Sequence, residues 1–190
     1  MSCDNPSIST VIKRAWTNSL PYDICALANE AISKVGAAKG LNLFAAGLNA
    51  PMMVAIVTME DSSADPNAIE CTSSSCDCST CDNYCANSCG YGLTQITTTG
   101  HITELIDLGL APSGTTLCDM LQHCDENGPL YTMEALVVHF INTYLNSNSA
   151  CYMNLGQAYM AWNSGDGACG SSLDAYGQCA LDAYNGYSCT

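Results

Sequence analysis

The chain has 190 residues, 14 of them cysteine and 48% apolar, and sets 18 carboxylates against four basic side chains for a net charge of −14. That length makes a single domain with a core of its own. No apolar run approaches the roughly 18 residues that span a bilayer, and no basic patch suits nucleic acid or anionic lipid, so neither membrane nor polynucleotide is an expected partner.

All four basic residues, Lys13, Arg14, Lys34 and Lys39, lie in the first 40 positions, while residues 41–190 carry 15 carboxylates and no Lys or Arg. Such a surface fits a neutral or cationic polymer, acidic working conditions, or plain solvation. The even, high cysteine count fits an oxidised, secreted protein with disulfides rather than a reduced cytosolic one. The start, MSCDNPSISTVIKR, has no apolar signal segment. The expectation is therefore a mature secreted chain with an added Met1, with an acidic digestive compartment as the other setting.

In chain order, Ile8, Val11, Ile12 and Ala15 predict a helix over 7–20. A second is predicted over 22–39, with Ile24, Leu27, Ala28, Ala31, Ile32 and Val35 on one face and Gly36 to Gly40 at its end. Residues 1–40 then form a helical scaffold that a Cys3–Cys25 bridge could staple. Residues 41–50 read as a loop or short helix. Pro51 suits a first helical turn, and Met52, Met53, Ala55, Ile56 and Met59 are apolar on nearly every side, which marks a central buried helix. That helix ends in Glu60-Asp61-Ser62, and the following ADPNA is a turn.

Residues 71–89 hold six cysteines among Ser, Asp and Asn, with no core periodicity. Without a nearby His or paired C-x2-C knuckles, a disulfide-rich loop insert is expected there rather than a metal site. Its cysteines should pair largely with each other or with near neighbours. Short helices are expected over 102–110 and 115–124. A long amphipathic helix follows over 131–146, with Met133, Leu136, Val137, Phe140 and Tyr144 inward. The last two helices are read over 151–163 and 172–184, the latter tied through Cys179 and Cys189. No strand series is apparent, so the class is mainly α. His101, His123 and His139 are scattered and read as structural or exposed.

Three ordered blocks resemble one family. AIVTMEDSSADPNAI (55–69) looks like the catalytic helix and turn of soluble lytic transglycosylases and goose-type lysozymes, glycoside hydrolase family 23. GYGLTQI (90–96) is similar to that family's glycine–glutamine block, and LGQAYMAWNSGDGA (155–168) to its Tyr-Asn-Ala-Gly block. The resemblance implies one lysozyme-like helical domain over 1–190. It implies cleavage of β-1,4 bonds in peptidoglycan or chitin-like N-acetylhexosamine polymers, by a monomer without cofactor or metal.

By that resemblance Glu60 takes the place of the catalytic acid and Ser62 of the serine that follows it. Tyr91, Gly92, Leu93, Gln95 and Ile96 match the block that lines the sugar cleft, and Trp162 and Asn163 match the Tyr-Asn pair. Thr94 stands for the usual Met. Trp162 offers an N–H where the family has a hydroxyl. The register leaves Asp61 as the alternative acid, since Asp61 rather than Glu60 lies five steps before Pro66. Glu60 is preferred for its apolar spacing from Ala55 and its longer reach.

Such an acid must hold a proton near working pH, and the apolar helix behind Glu60, with Asp61 beside it, pushes that way. A hydrolase also needs a second carboxylate. Thr97 stands where goose-type lysozymes place theirs, which leaves Asp77 or Asp82 in the insert. With neither, the resemblance to lytic transglycosylases implies that the sugar's own hydroxyl attacks and gives an anhydro product. Two other classes compete: a non-catalytic glycan-binding protein on this fold, and a cysteine-stabilised interaction protein built on the insert.

Overall fold

The computed structural model describes residues 23–60, 64–71, 81 and 89–186. The helix expected over 7–20 and the candidates Asp61, Ser62, Asp77 and Asp82 lie outside the described residues. The class is mainly α. The helices are α1 (Ile24–Lys39), α2 (Ala50–Glu60), α3 (Thr99–Asp107), α4 (Gly128–Asn142), α5 (Leu155–Ser164) and α6 (Ala175–Asn185), with strands β1 (Ile69–Cys71) and β2 (Cys89–Tyr91).

Local chemistry sets the helix ends. The Asp23 carboxylate accepts the N–H groups of Cys25 and Ala26 at 2.9 and 3.2 Å, donors that a first turn leaves without partners. Gly40 closes α1 in the left-handed region at φ 65°. Asn154 caps α5 through Gln157 N–H at 3.2 Å, and Asp174 caps α6 through Gly177 N–H at 2.8 Å. Pro129 occupies the first turn of α4. At the far end, the Thr143 hydroxyl donates to the His139 carbonyl at 2.7 Å, and the helix stops at Asn142 rather than running to 146.

Helix α2 is the central element its composition predicts, with Met52 through Met59 all buried. Each Val, Ile or Met buried there contributes about 1.5–3 kcal/mol. It packs on α1, α4 and α6. The pattern over 131–146 was amphipathic, yet every residue of Gly128–Phe140 is buried. The reason is that α1, α2, α3 and α5 surround α4, so it is a second central helix. Its buried set includes Glu134, which is 0% exposed.

The helix expected over 115–124 is a single 3₁₀ turn, Cys118–Met120. There the Asp119 carboxylate captures Thr116 N–H at 2.7 Å and the Thr116 hydroxyl at 2.8 Å, a local alternative to helical bonding. The insert's ends form an antiparallel hairpin of register Ile69↔Tyr91, Glu70↔Gly90 and Cys71↔Cys89. Strands of three residues are marginal alone, and the Cys71–Cys89 disulfide closes this pair.

Two further bridges join Cys81 to Cys124 and Cys151 to Cys169. Cys25, Cys118 and Cys179 are also disulfide-bonded, so no described cysteine is free. The insert thus pairs within itself at 71–89 but also reaches Cys124, 43 residues beyond Cys81. The expected Cys3–Cys25 and Cys179–Cys189 ties involve residues outside the described set. No helix among the described residues is long and apolar enough to cross a membrane.

Candidate active site

The buried run of α2 delivers Glu60 to a cleft. Two cavities, about 350 and 330 Å³, meet at this residue, and both are also lined by Glu70 and Asn163. The first extends over Gly90, Gln95, Ile96, Thr97, His101 and Trp162. The second extends over Met59, Ala175 and Tyr176.

Burial raises the Glu60 carboxyl from its ordinary 4.5 to about 7. The Tyr176 hydroxyl donates to Glu60 Oε1 and pulls the value back down, while the charge of Glu70 pushes it up. Desolvation outweighs the hydrogen bond. Glu60 therefore carries a proton over the acidic range up to near neutrality, as a general acid must. Tyr176, held by burial and by the Glu60 charge far above the usual phenol range, acts only as a donor.

Opposite α2, residues 91–96 form a tight turn. Tyr91 and Ile96 exchange both backbone hydrogen bonds, at 3.1 and 3.0 Å. Gly92 sits at φ 69°, and a Cβ there would stand 2.6 Å from the Met120 carbonyl oxygen. Gln95 also adopts a left-handed φ, 53°, unusual for a side chain of its size. Its Nε2 donates to the Gly92 carbonyl at 2.8 Å and reaches the Ala68 carbonyl at 3.4 Å. Its Oε1 packs over Gly90, where a Cβ would come within 2.4 Å, and is buried without a hydrogen-bond partner. The Gln95 side chain is therefore chiefly a brace for the turn.

Trp162 fastens that turn to α5. Its indole N–H donates to the Thr94 carbonyl at 3.1 Å, and the Thr94 hydroxyl donates to the Thr132 carbonyl at 3.1 Å. His101 stacks on the indole with centroids 5.1 Å apart and planes at 26°. His139 meets the indole edge-on at 5.2 Å and bonds the Ala158 carbonyl at 3.0 Å through Nε2. Burial lowers the pKa of both imidazoles. The cleft wall is thus an aromatic stack.

Of the residues singled out from sequence, Glu60, Gln95, Ile96, Trp162 and Asn163 line the cleft. Tyr91 and Leu93 are fully buried and Gly92 is buried, so these three shape the turn from behind it. Asp61 and Ser62 lie outside the described residues. Trp162 gives its N–H to the loop, and the hydroxyl on the acid comes from Tyr176 on α6.

Sequence reasoning missed Glu70, His101 and Tyr176. Ile-Glu-Cys and Cys-Gly-Tyr at the two ends of the insert were a legible hairpin signal, because their cysteines fall opposite each other. His101 and Tyr176 had no local signal. Among the described residues the one grouping with metal-ligand spacing is Cys81, His123 and Cys124. Its two sulfurs are joined to each other and supply no thiolate, and His123 Nδ1 is bonded to Asn67 Oδ1 at 2.8 Å.

No family model matches the chain, and comparisons with curated proteins and with solved structures return no match.

Proposed function

We propose that the cleft cleaves β-1,4-glycosidic bonds of N-acetylhexosamine polymers, peptidoglycan or chitin-like, with Glu60 as the general acid. The observation that carries this reading is a carboxyl raised to about 7 at the end of a buried helix, in an open cleft, with a phenol donating to it. A buried helix end needs no carboxyl there, whereas protonating a leaving glycosidic oxygen does. The three sequence blocks agree with it, since their segments converge on this cleft.

No Lys or Arg lines either cavity among the described residues, which favours a neutral or cationic glycan over a polyanion. The disulfides favour an extracellular or acidic digestive setting. The test is release of soluble fragments from chitin oligomers and from peptidoglycan between pH 3 and 8, with Glu60→Gln beside the wild type. Fragments from the wild type and none from the variant support the reading. Glycan binding with no released product in either protein points to a non-catalytic glycan-binding protein.

A further inference from the structure

We propose that Glu70 is the second carboxylate of this site, the base that delivers water to the anomeric carbon, so that the enzyme is a hydrolase. This rests on the reading of Glu60 as the acid of glycoside cleavage. Glu60 and Glu70 bound the same two cavities, and Asn163 is the only other residue common to both linings. Glu70 is solvent-exposed, so water reaches its carboxylate. No ion pair among the described residues engages it.

The hairpin holds Glu70 in place. It pairs with Gly90 in the antiparallel register, and the Cys71–Cys89 disulfide fixes the adjacent pair. Residues directly opposite in an antiparallel pair point to the same face. Gly90 has no side chain, and the space its Cβ would fill is occupied by Gln95. Glu70 and Gln95 therefore share the face of the hairpin that lines the cleft. A carboxylate on a stapled strand is better positioned than one on a loop. Asp77 and Asp82, the candidates from sequence, lie outside the described residues.

In the step, a water oxygen bonds to the anomeric carbon while Glu70 takes one of the water's protons. The bond from that carbon to the bridging oxygen breaks, and the oxygen leaves with the electron pair and the Glu60 proton. The products are a hemiacetal of inverted, α, configuration and a free 4-hydroxyl. Exchange with solvent then returns the proton to Glu60 and removes it from Glu70.

The experiment is product analysis on chitin oligomers in ¹⁸O-water, by mass spectrometry and early-turnover NMR. The wild type should give ¹⁸O-labelled reducing ends, the α-anomer first, and no anhydro sugar. Glu70→Gln should fold normally and keep oligomer affinity within a few-fold, while kcat falls by about a hundredfold or more. Added azide should restore turnover to Glu70→Ala and yield the α-glycosyl azide. Anhydro ends, a β-anomer released first, or undiminished kcat in Glu70→Gln would each overturn the assignment while leaving Glu60 as the acid. No fragments from the wild type would overturn both.

Discussion

The hydroxyl of Tyr176 donates to Oε1 of Glu60, across 116 positions of sequence and from one helix to another. It holds the carboxyl in one orientation while burial keeps it protonated, and it opposes the effect of burial on the pKa. Removing it therefore has a signed consequence. Tyr176→Phe should move the alkaline limb of the pH–rate profile above about 7, because the hydrogen bond that favours the anion is gone. Activity on the plateau should fall by roughly tenfold as the acid loses its orientation. A kcat/KM profile from pH 4 to 9 checks both effects.

Stability should follow the same acidic bias. Lys34 Nζ lies 3.5 Å from Glu134 Oε1, a long contact, and burial raises this carboxyl from 4.5 to about 7 although the Lys34 ammonium pulls it down. Glu60 shifts in the same direction for the same first cause. A folded-state pKa above the unfolded value means that the unfolded chain releases its proton first. The contribution of both groups is then complete below about 4.5 and is lost as pH rises through about 7. Thermal unfolding should give a higher Tm at pH 4.5 than at pH 8, and Glu134→Gln should reduce that difference by raising Tm at pH 8.

The cleft turn depends on two glycines for different reasons. At Gly92 a Cβ meets the backbone of Met120 and the φ is left-handed, so neither steric nor backbone accommodation is available. Gly92→Ala should destabilise the fold by about 2–4 kcal/mol. At Gly90 a Cβ would meet the Gln95 Oε1 at 2.4 Å, which can move, and the Gln95 Cβ at 2.9 Å, which moves only with its backbone. Gly90→Ala should cost about 1–2 kcal/mol but dislodge the Gln95 brace, lowering activity more than stability. Denaturant unfolding and turnover, measured on both variants, separate the two.

Trp162 joins the turn to α5 through one hydrogen bond and one ring stack. Trp162→Phe keeps an aromatic face but leaves the Thr94 carbonyl without the indole donor, a loss of about 1–2 kcal/mol. Trp162→Ala also removes the surface against which His101 packs, and about 3–5 kcal/mol is expected. If the indole also contacts sugar, KM for chitin oligomers should rise in the alanine variant more than in the phenylalanine variant.

Much of this architecture was legible before any coordinates. The all-round apolar run of Met52–Met59 identified the central helix, and Pro51 and Gly40 marked helix ends through their backbone chemistry. Helix α4 was misjudged as amphipathic because Glu134 and His139 look like solvent-facing residues in sequence; both are buried by neighbours that periodicity cannot foresee. The site divides in the same way. Glu60, Gln95, Ile96, Trp162 and Asn163 stood out through the resemblance of three short blocks to one family. Glu70, His101 and Tyr176 reach the cleft only through the hairpin register and the packing of α3 and α6, which join residues far apart in the chain. The insert's cysteines were expected to pair largely with each other or with near neighbours, and Cys81 is bonded to Cys124, a link that spacing does not specify.

The proposed chemistry requires Glu60 to be a protonated acid at the pH where the protein works. The most direct measurement is the carboxyl ¹³C shift of Glu60 followed from pH 3 to 9, with the kcat/KM profile taken in the same buffers and Glu60→Gln as the assignment control. Glu60 should titrate at about 7, the alkaline limb of activity should coincide with it, and the variant should lose about a hundredfold or more in rate. A Glu60 carboxyl titrating at its ordinary 4.5, or a Glu60→Gln variant with wild-type turnover, would contradict the account.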